Sequence, residues 1–181
     1  MVLTYLALAL TYSRSTFLSL FIASVFVGLK IKNKFIPIIT GILILITILI
    51  LPRHPGEGTN LERNASIKAK ITNYQEGFKT FLTSPLIGHG YNNLLYVRKI
   101  DIPESHSNSG FDSSLLTILA CTGLIGLILF LAGCANLFQS SSLLFQTLLA
   151  ALFVHSLFAN SLLYPWTLVF LILISLEICA R

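Results

Sequence analysis

Long apolar runs separated by short polar segments dominate the hydrophobic pattern of this chain. A membrane-spanning helix needs about 20 mostly apolar residues, because each residue advances the helix about 1.5 Å across a hydrocarbon core of about 30 Å. The run at 2–12 is too short to cross alone. Further runs, apolar on all faces as buried or lipid-exposed helices are, lie at 15–29, 35–51, 114–134, 142–160 and 163–180. The pattern predicts an all-α integral membrane protein, a polytopic helical bundle.

One polar stretch divides the chain into three parts. Residues 1–51 are expected to hold about three membrane helices, of which the first is truncated, and residues 113–181 three more. Residues 52–112 form one large loop. Within it, apolar side chains recur at spacings of three and four, which predicts an amphipathic helix over 62–82 that ends before Pro85. Its apolar stripe is Ile67, Ile71, Tyr74, Phe78, Phe81 and Leu82, and such a helix lies on the membrane surface or packs onto the bundle.

The few charges are segregated and predict the topology. Only 10% of the residues are charged, against about 25% in soluble domains. Lys30, Lys32 and Lys34 lie between two apolar runs, and the positive-inside rule places that turn in the cytoplasm. The large loop is then extracytoplasmic, and Arg181 returns to the cytoplasm. No basic stripe is interleaved with aromatic residues, so nucleic-acid binding is not expected.

The cysteines do not indicate a metal or a disulfide. Cys121, Cys134 and Cys179 all fall in apolar runs, without a CxxC pair or a histidine at ligand spacing. Buried apolar cysteines are the better interpretation. No metal site and no cofactor are predicted.

Arg14 is the first candidate for chemistry, because it lies between two apolar runs on the side of the large loop. An arginine at membrane depth costs several kcal/mol, so such residues are usually functional. The alternative is an interfacial arginine that reaches the headgroups. Ser13 and Ser15 flank it and suggest a break that points the guanidinium into an aqueous cavity. Guanidinium suits bidentate recognition of phosphate, which predicts a lipid-phosphate ligand.

His106 and Asp112 precede the helix that is expected to begin near Ser113. Asp112 can also be read as an N-cap, and His106 as an ordinary loop histidine. By side counting both share the membrane face of Arg14, as do Lys70 and His89. A cationic phosphate clamp facing a general base is the arrangement that group transfer requires.

Three blocks, in this order, resemble the C-terminal half of the O-antigen ligase and O-antigen polymerase family (WaaL-like and Wzy-like membrane glycosyltransferases). They are "YSRSTFLSLFIA", "KITNYQEGFKTFLTSPLIGHGYNN" and "FDSSLLTILACTGLIGLILF". The resemblance implies a GT-C-like fold in the bacterial inner membrane, with the active site on the extracytoplasmic side. It implies inverting, metal-independent transfer of a glycan from a polyprenyl-diphosphate carrier to a lipid or saccharide hydroxyl. The wider role is lipopolysaccharide or other envelope-polysaccharide biosynthesis, with other envelope-assembly proteins as candidate partners.

The resemblance also implies roles for individual residues. Arg14 matches the first arginine of the family pattern, and Lys70, counted back from Pro85, takes the place of the second; both would bind the diphosphate. Counting back from Gly123 puts Asp112 where the family has its histidine. Alternatively, a shifted loop brings His106 to that place, so the base is either residue. Further candidate substrate contacts are His89, Asn108 and Ser113.

The length departs from the family, whose members have roughly twice as many spans. The missing spans are N-terminal, which predicts a fragment, a split gene or a mis-called start. Two other functions compete with the transferase. One is a non-catalytic fragment of such an enzyme, and the other is a polytopic transporter-like protein with Arg14 as a gating charge.

Overall fold

The computed structural model describes residues 2–51, 64–98 and 110–179, and the regular elements in those ranges are all helical. The all-α prediction is therefore confirmed. The helices are α1 (Val2–Ala9), α2 (Arg14–Ile31), α3 (Phe35–Ile50), α4 (Asn64–Thr83), α5 (Leu94–Val97), α6 (Ser114–Ser140), α7 (Leu143–Ser156) and α8 (Pro165–Cys179). A 3₁₀ turn at Tyr91–Asn93 precedes α5. By length and composition, α2 and α6 can cross a membrane, and α3, α7 and α8 are or contain shorter apolar helices.

Helix α2 is central, since it packs along both α7 and α3. Three of its buried residues are small (Ser19, Ser24 and Gly28), which lets the neighbouring backbones approach closely. A Cβ on Gly28 would lie 2.7 Å from Pro37 Cδ, so α2 and α3 meet tightly at their connecting turn.

Helix α4, predicted at 62–82, packs against α6. A Cβ on Gly77 would lie 2.4 Å from Leu116 Cδ2, so the Leu116 side chain packs directly against this glycine. Phe81 is buried, but most of the predicted apolar stripe faces outward. Ile71 and Phe78, for example, each remain 53% exposed. The bundle contact of α4 therefore comes from small and polar residues as well as from apolar ones.

Helix α6 is broken at Gly123, whose backbone is non-helical (φ 65°, ψ −166°). The apolar run at 114–134 predicts a span but no break. The turn at 85–90 fills the break. Four main-chain hydrogen bonds join the two segments: His89 N to Ala120 O (3.1 Å), Gly90 N to Cys121 O (2.7 Å), Leu124 N to Pro85 O (2.9 Å) and Ile125 N to Leu86 O (3.2 Å).

We call this contact between 85–90 and 120–125 the glycine interlock. A broken helix in a membrane leaves amide and carbonyl groups unpaired, at several kcal/mol each, and here the turn pairs them. Gly88 and Gly123 both have positive φ. A Cβ on Gly88 would lie 2.3 Å from the carbonyl carbon of Cys121, and one on Gly123 would lie 2.3 Å from Leu86 O. Each glycine thus makes room for the backbone of the other segment.

Candidate functional site

A cavity of about 530 Å³ lies between the start of α2, one face of α4 and the turn that follows α7. One part of its lining is polar and includes two cationic side chains; the rest is mainly apolar. The lining residues are Ser13, Arg14, Ser15, Leu18, Ile67, Lys70, Ile71, Tyr74, Gln75 and Phe158. The structure therefore brings together the two predicted diphosphate-binding residues, Arg14 and Lys70, which are far apart in the sequence.

Arg14 is the first residue of α2, directly after the expected interruption between two helices. Ser13 caps the helix, since its Oγ accepts a hydrogen bond from Thr16 N (3.4 Å) and lies 3.0 Å from Ser15 Oγ. The Arg14 side chain is exposed. A cation at a helix N-terminus opposes the helix dipole, so Arg14 does not stabilise α2 from this position. Its placement makes physical sense if an anion binds in the cavity.

Lys70 extends from α4 to the turn after α7. Its Nζ donates a hydrogen bond to Phe158 O at 2.6 Å. An ammonium group has three hydrogens to donate, so this contact leaves two for another acceptor. Lys70 thus links two walls of the cavity and still presents its charge there.

Asp112 lies beside α4 without lining the cavity. Its backbone N–H donates to Asn73 Oδ1 at 2.8 Å. Asn73 lies about one helical turn after Lys70 in α4. The interpretation of Asp112 as the N-cap of α6 is wrong, because the cap is Ser113, whose Oγ accepts from Leu116 N (3.4 Å). In the part of the chain that the structure describes, the Asp112 carboxylate makes no hydrogen bond.

Two further candidates, Ser113 and His89, do not line the cavity. The Ser113 side chain is 2% exposed and donates to Ser156 O at 3.1 Å. His89 belongs to the glycine interlock, and its Nε2 lies 2.7 Å from Thr83 Oγ1. Both side chains are thus occupied by contacts within the protein. His106 and Asn108 lie outside the described residues.

Arg98 supports the site, although nothing in its sequence context indicates this. Its guanidinium donates to Glu76 Oε2 (2.9 Å) and to Gly110 O (3.0 Å), and it lies 4.8 Å from the centroid of the Phe111 ring. Its side chain is only 13% exposed. Arg98 therefore ties the segment that precedes α6 to α4, next to the contact of Asp112 N with Asn73. In the sequence it is one of several scattered loop charges.

The chain matches the model of one protein family. A family model described as O-antigen ligase matches residues 1–131, a range that includes Arg14, Lys70, Asp112 and both segments of the glycine interlock. No curated protein and no solved structure matches the chain.

Proposed function

Because the chain belongs to the O-antigen ligase family, we propose that it is a multi-pass enzyme of the bacterial inner membrane that transfers a glycan. The donor is a glycan on a polyprenyl diphosphate, and the acceptor is a hydroxyl of a lipid or a saccharide. The observation that carries this proposal is the shared cavity of Arg14 and Lys70. A guanidinium and an ammonium at one cavity suit a diphosphate, which is both the recognised group and the leaving group.

The remaining lining of the cavity suits the rest of the donor. Leu18, Ile67 and Ile71 give it an apolar wall next to the cations. Ligand sites commonly combine a mainly apolar lining with a few polar groups that set the orientation. We infer that the first isoprene units of the carrier lie along this wall, while the diphosphate faces Arg14 and Lys70.

The proposed reaction is a displacement at the anomeric carbon. The acceptor oxygen attacks from the face opposite the diphosphate, its new bond to the anomeric carbon forms, and the bond from that carbon to the phosphate oxygen breaks with inversion. The leaving diphosphate keeps the electron pair, and Arg14 and Lys70 stabilise its charge. The proton of the acceptor hydroxyl passes to a base. Such preorganised electrostatic stabilisation usually contributes more to catalysis than any other single effect.

The base is either Asp112 or His106. The contact between Asp112 N and Asn73 supports Asp112, because it keeps this residue within one turn of α4 from Lys70. The capping of α6 by Ser113 also supports it, since the Asp112 carboxylate is then available to a substrate. A histidine is the more common general base near neutral pH, which favours His106.

The test is transfer by the full chain in vesicles, with a polyprenyl-diphosphate glycan and candidate acceptors. We expect a product whose mass is the acceptor plus the glycan, and release of polyprenyl diphosphate. Asp112→Asn and His106→Asn are compared in the same assay, and the variant of the base loses transfer. Movement of the donor across the bilayer without a covalent product would instead support the transporter alternative. Transfer that needs an added protein would support a non-catalytic fragment.

Lys70→Gln is expected to lower kcat/KM for the donor about ten- to a hundredfold, because a hydrogen bond to a charged group contributes about 1.5–3 kcal/mol. Lys70→Arg keeps the charge and adds a fork for phosphate, so it retains most of the activity. Initial rates over a range of donor concentrations measure both. Lys79→Gln, on the same helix but outside the cavity lining, is the matched control. Equal rates for Lys70→Gln and the control would limit Lys70 to its contact with Phe158 O.

A further inference from the structure

The turn between α2 and α3 carries three lysines, and we call residues 30–34 the lysine turn. Lys30 lies in the last turn of α2, Lys32 is the C-cap of this helix, and Lys34 directly precedes α3. All three side chains are exposed. Two of them, Lys32 and Lys34, line an open, concave pocket whose volume is about 720 Å³. Its residues are Val25, Gly28, Leu29, Lys32, Asn33, Lys34, Phe35 and Pro37.

The backbone of the lysine turn is held in one conformation. Lys32 adopts the left-handed region (φ 56°) that ends α2, and Asn33 N donates to Gly28 O at 2.8 Å. The Asn33 side chain then accepts from Phe35 N at 3.0 Å and so begins α3. The close contact between Gly28 and Pro37 fixes the spacing of the two helices. The lysines are therefore presented by a defined surface.

The positive charge of the lysine turn is not balanced within the described residues. Among the described residues, an ion pair joins Arg98 to Glu76, away from the lysine turn. No carboxylate in the described ranges pairs with the three lysines. Large apolar side chains are exposed beside them: Leu29 is 74% exposed and Phe35 is 61% exposed. Cationic groups next to exposed apolar side chains match the boundary between lipid headgroups and acyl chains.

This surface is separate from the cavity of Arg14 and Lys70. Arg14 and Lys30 lie at opposite ends of α2, about 24 Å apart along the axis at about 1.5 Å per residue. That distance approaches the thickness of the hydrocarbon core. The lysine turn therefore meets the headgroups of the other leaflet.

We propose that the lysine turn binds the phosphate headgroup of an anionic phospholipid, whose acyl chains lie against Leu29 and Phe35. Basic pockets between membrane helices bind such headgroups, and each lysine near the surface contributes about 1 kcal/mol. Positive charges that only orient the chain during insertion need no fixed conformation. Here the backbone is closed by hydrogen bonds around a concave surface. The bound lipid would hold α2 at one depth in the membrane.

The proposal is tested by lipid binding, so the outcome does not depend on the proposed transferase activity. The sequence has one tryptophan, and Trp166→Phe combined with Phe35→Trp places a single fluorophore beside the lysines. The full chain is reconstituted in vesicles with brominated phosphatidylglycerol or brominated phosphatidylcholine at equal bromine content. We expect quenching to show at least a fivefold preference for the anionic lipid, since one lysine near the surface contributes about 1 kcal/mol, which corresponds to about fivefold.

Replacing Lys30, Lys32 and Lys34 together by glutamine is expected to bring this preference close to one. Quenching by phosphatidylcholine should stay the same in this variant, which shows that the turn is still embedded. Lys79→Gln is the control and should keep the preference. A preference that persists in the triple variant, or its absence in the parent, overturns the proposal. Displacement of the lipid by millimolar inorganic phosphate would also overturn it, because the ligand would then be a soluble anion.

Discussion

Replacing Arg14 by alanine is expected to lower glycan transfer about a hundred- to a thousandfold, the range seen when one preorganised electrostatic group is removed from an active site. Arg14 lines the cavity with Lys70, and its guanidinium is the group best suited to hold two phosphate oxygens at once. The transfer assay in vesicles measures the loss. Arg14→Lys should be intermediate, because it keeps the charge but loses the planar fork.

The same substitution should not impair folding or insertion, which separates a catalytic loss from a structural one. The Arg14 side chain is exposed, and the cap of α2 comes from Ser13. Removing a cation from the helix N-terminus should even stabilise α2, by up to about 1 kcal/mol. Thermal unfolding in detergent and protease accessibility in vesicles check this. Full activity in a correctly inserted Arg14→Ala protein would remove the diphosphate role from this residue.

Gly88→Ala and Gly123→Ala are each expected to destabilise the protein by about 3 kcal/mol or more. An alanine in the left-handed region costs about 1–2 kcal/mol, and its Cβ would also displace backbone that carries the hydrogen bonds of the glycine interlock. Backbone atoms cannot move aside as a flexible side chain can. Equilibrium unfolding in detergent measures the effect. The double variant should lose less than the sum of the two single losses, because both break the same contact.

Gly133→Ala is the matched control, since it lies in the same helix as Gly123. A Cβ at Gly133 meets no atom within 4 Å, so the substitution should be neutral or stabilise α6 by up to about 1 kcal/mol. If Gly88→Ala and Gly123→Ala unfold at the same point as this control, the interlock does not contribute to stability. The segments "SPLIGHG" and "TGLIG", each part of a block that resembles the family, would then owe that resemblance to something other than the stability of this contact.

Hydrophobic periodicity predicted the helices well, because each apolar run can be read from its own residues. The helix expected at 62–82 is found at Asn64–Thr83, and the run at 15–29 lies within Arg14–Ile31. The resemblance predicted the family correctly. The position between two apolar runs indicated Arg14, and counting back from Pro85 along the family pattern indicated Lys70. Their roles in binding diphosphate stay predictions.

Contacts between distant segments could not be predicted from the sequence. A broken helix and a continuous one have the same hydropathy, so nothing indicated that Gly123 interrupts α6 or that the turn at 85–90 fills the break. The alternative interpretation of Asp112 as the N-cap is wrong by one residue, because Asp112 and Ser113 are both good caps and only the fold shows that Ser113 also donates to Ser156 O. The local sequence around Arg98 does not distinguish it from other loop charges, and only the fold brings it into contact with Glu76 and Gly110.

The division has a physical cause. Each membrane helix must satisfy its own backbone hydrogen bonds and expose apolar side chains to lipid. Both requirements depend on consecutive residues, so a helix can be predicted from its own sequence. The cavity, the interlock and the position of Asp112 depend on which backbone groups remain unpaired after the helices form, and on which distant segment can pair with them. The sequence therefore determines which residues are available to line the cavity, but only the packing of the helices brings them together.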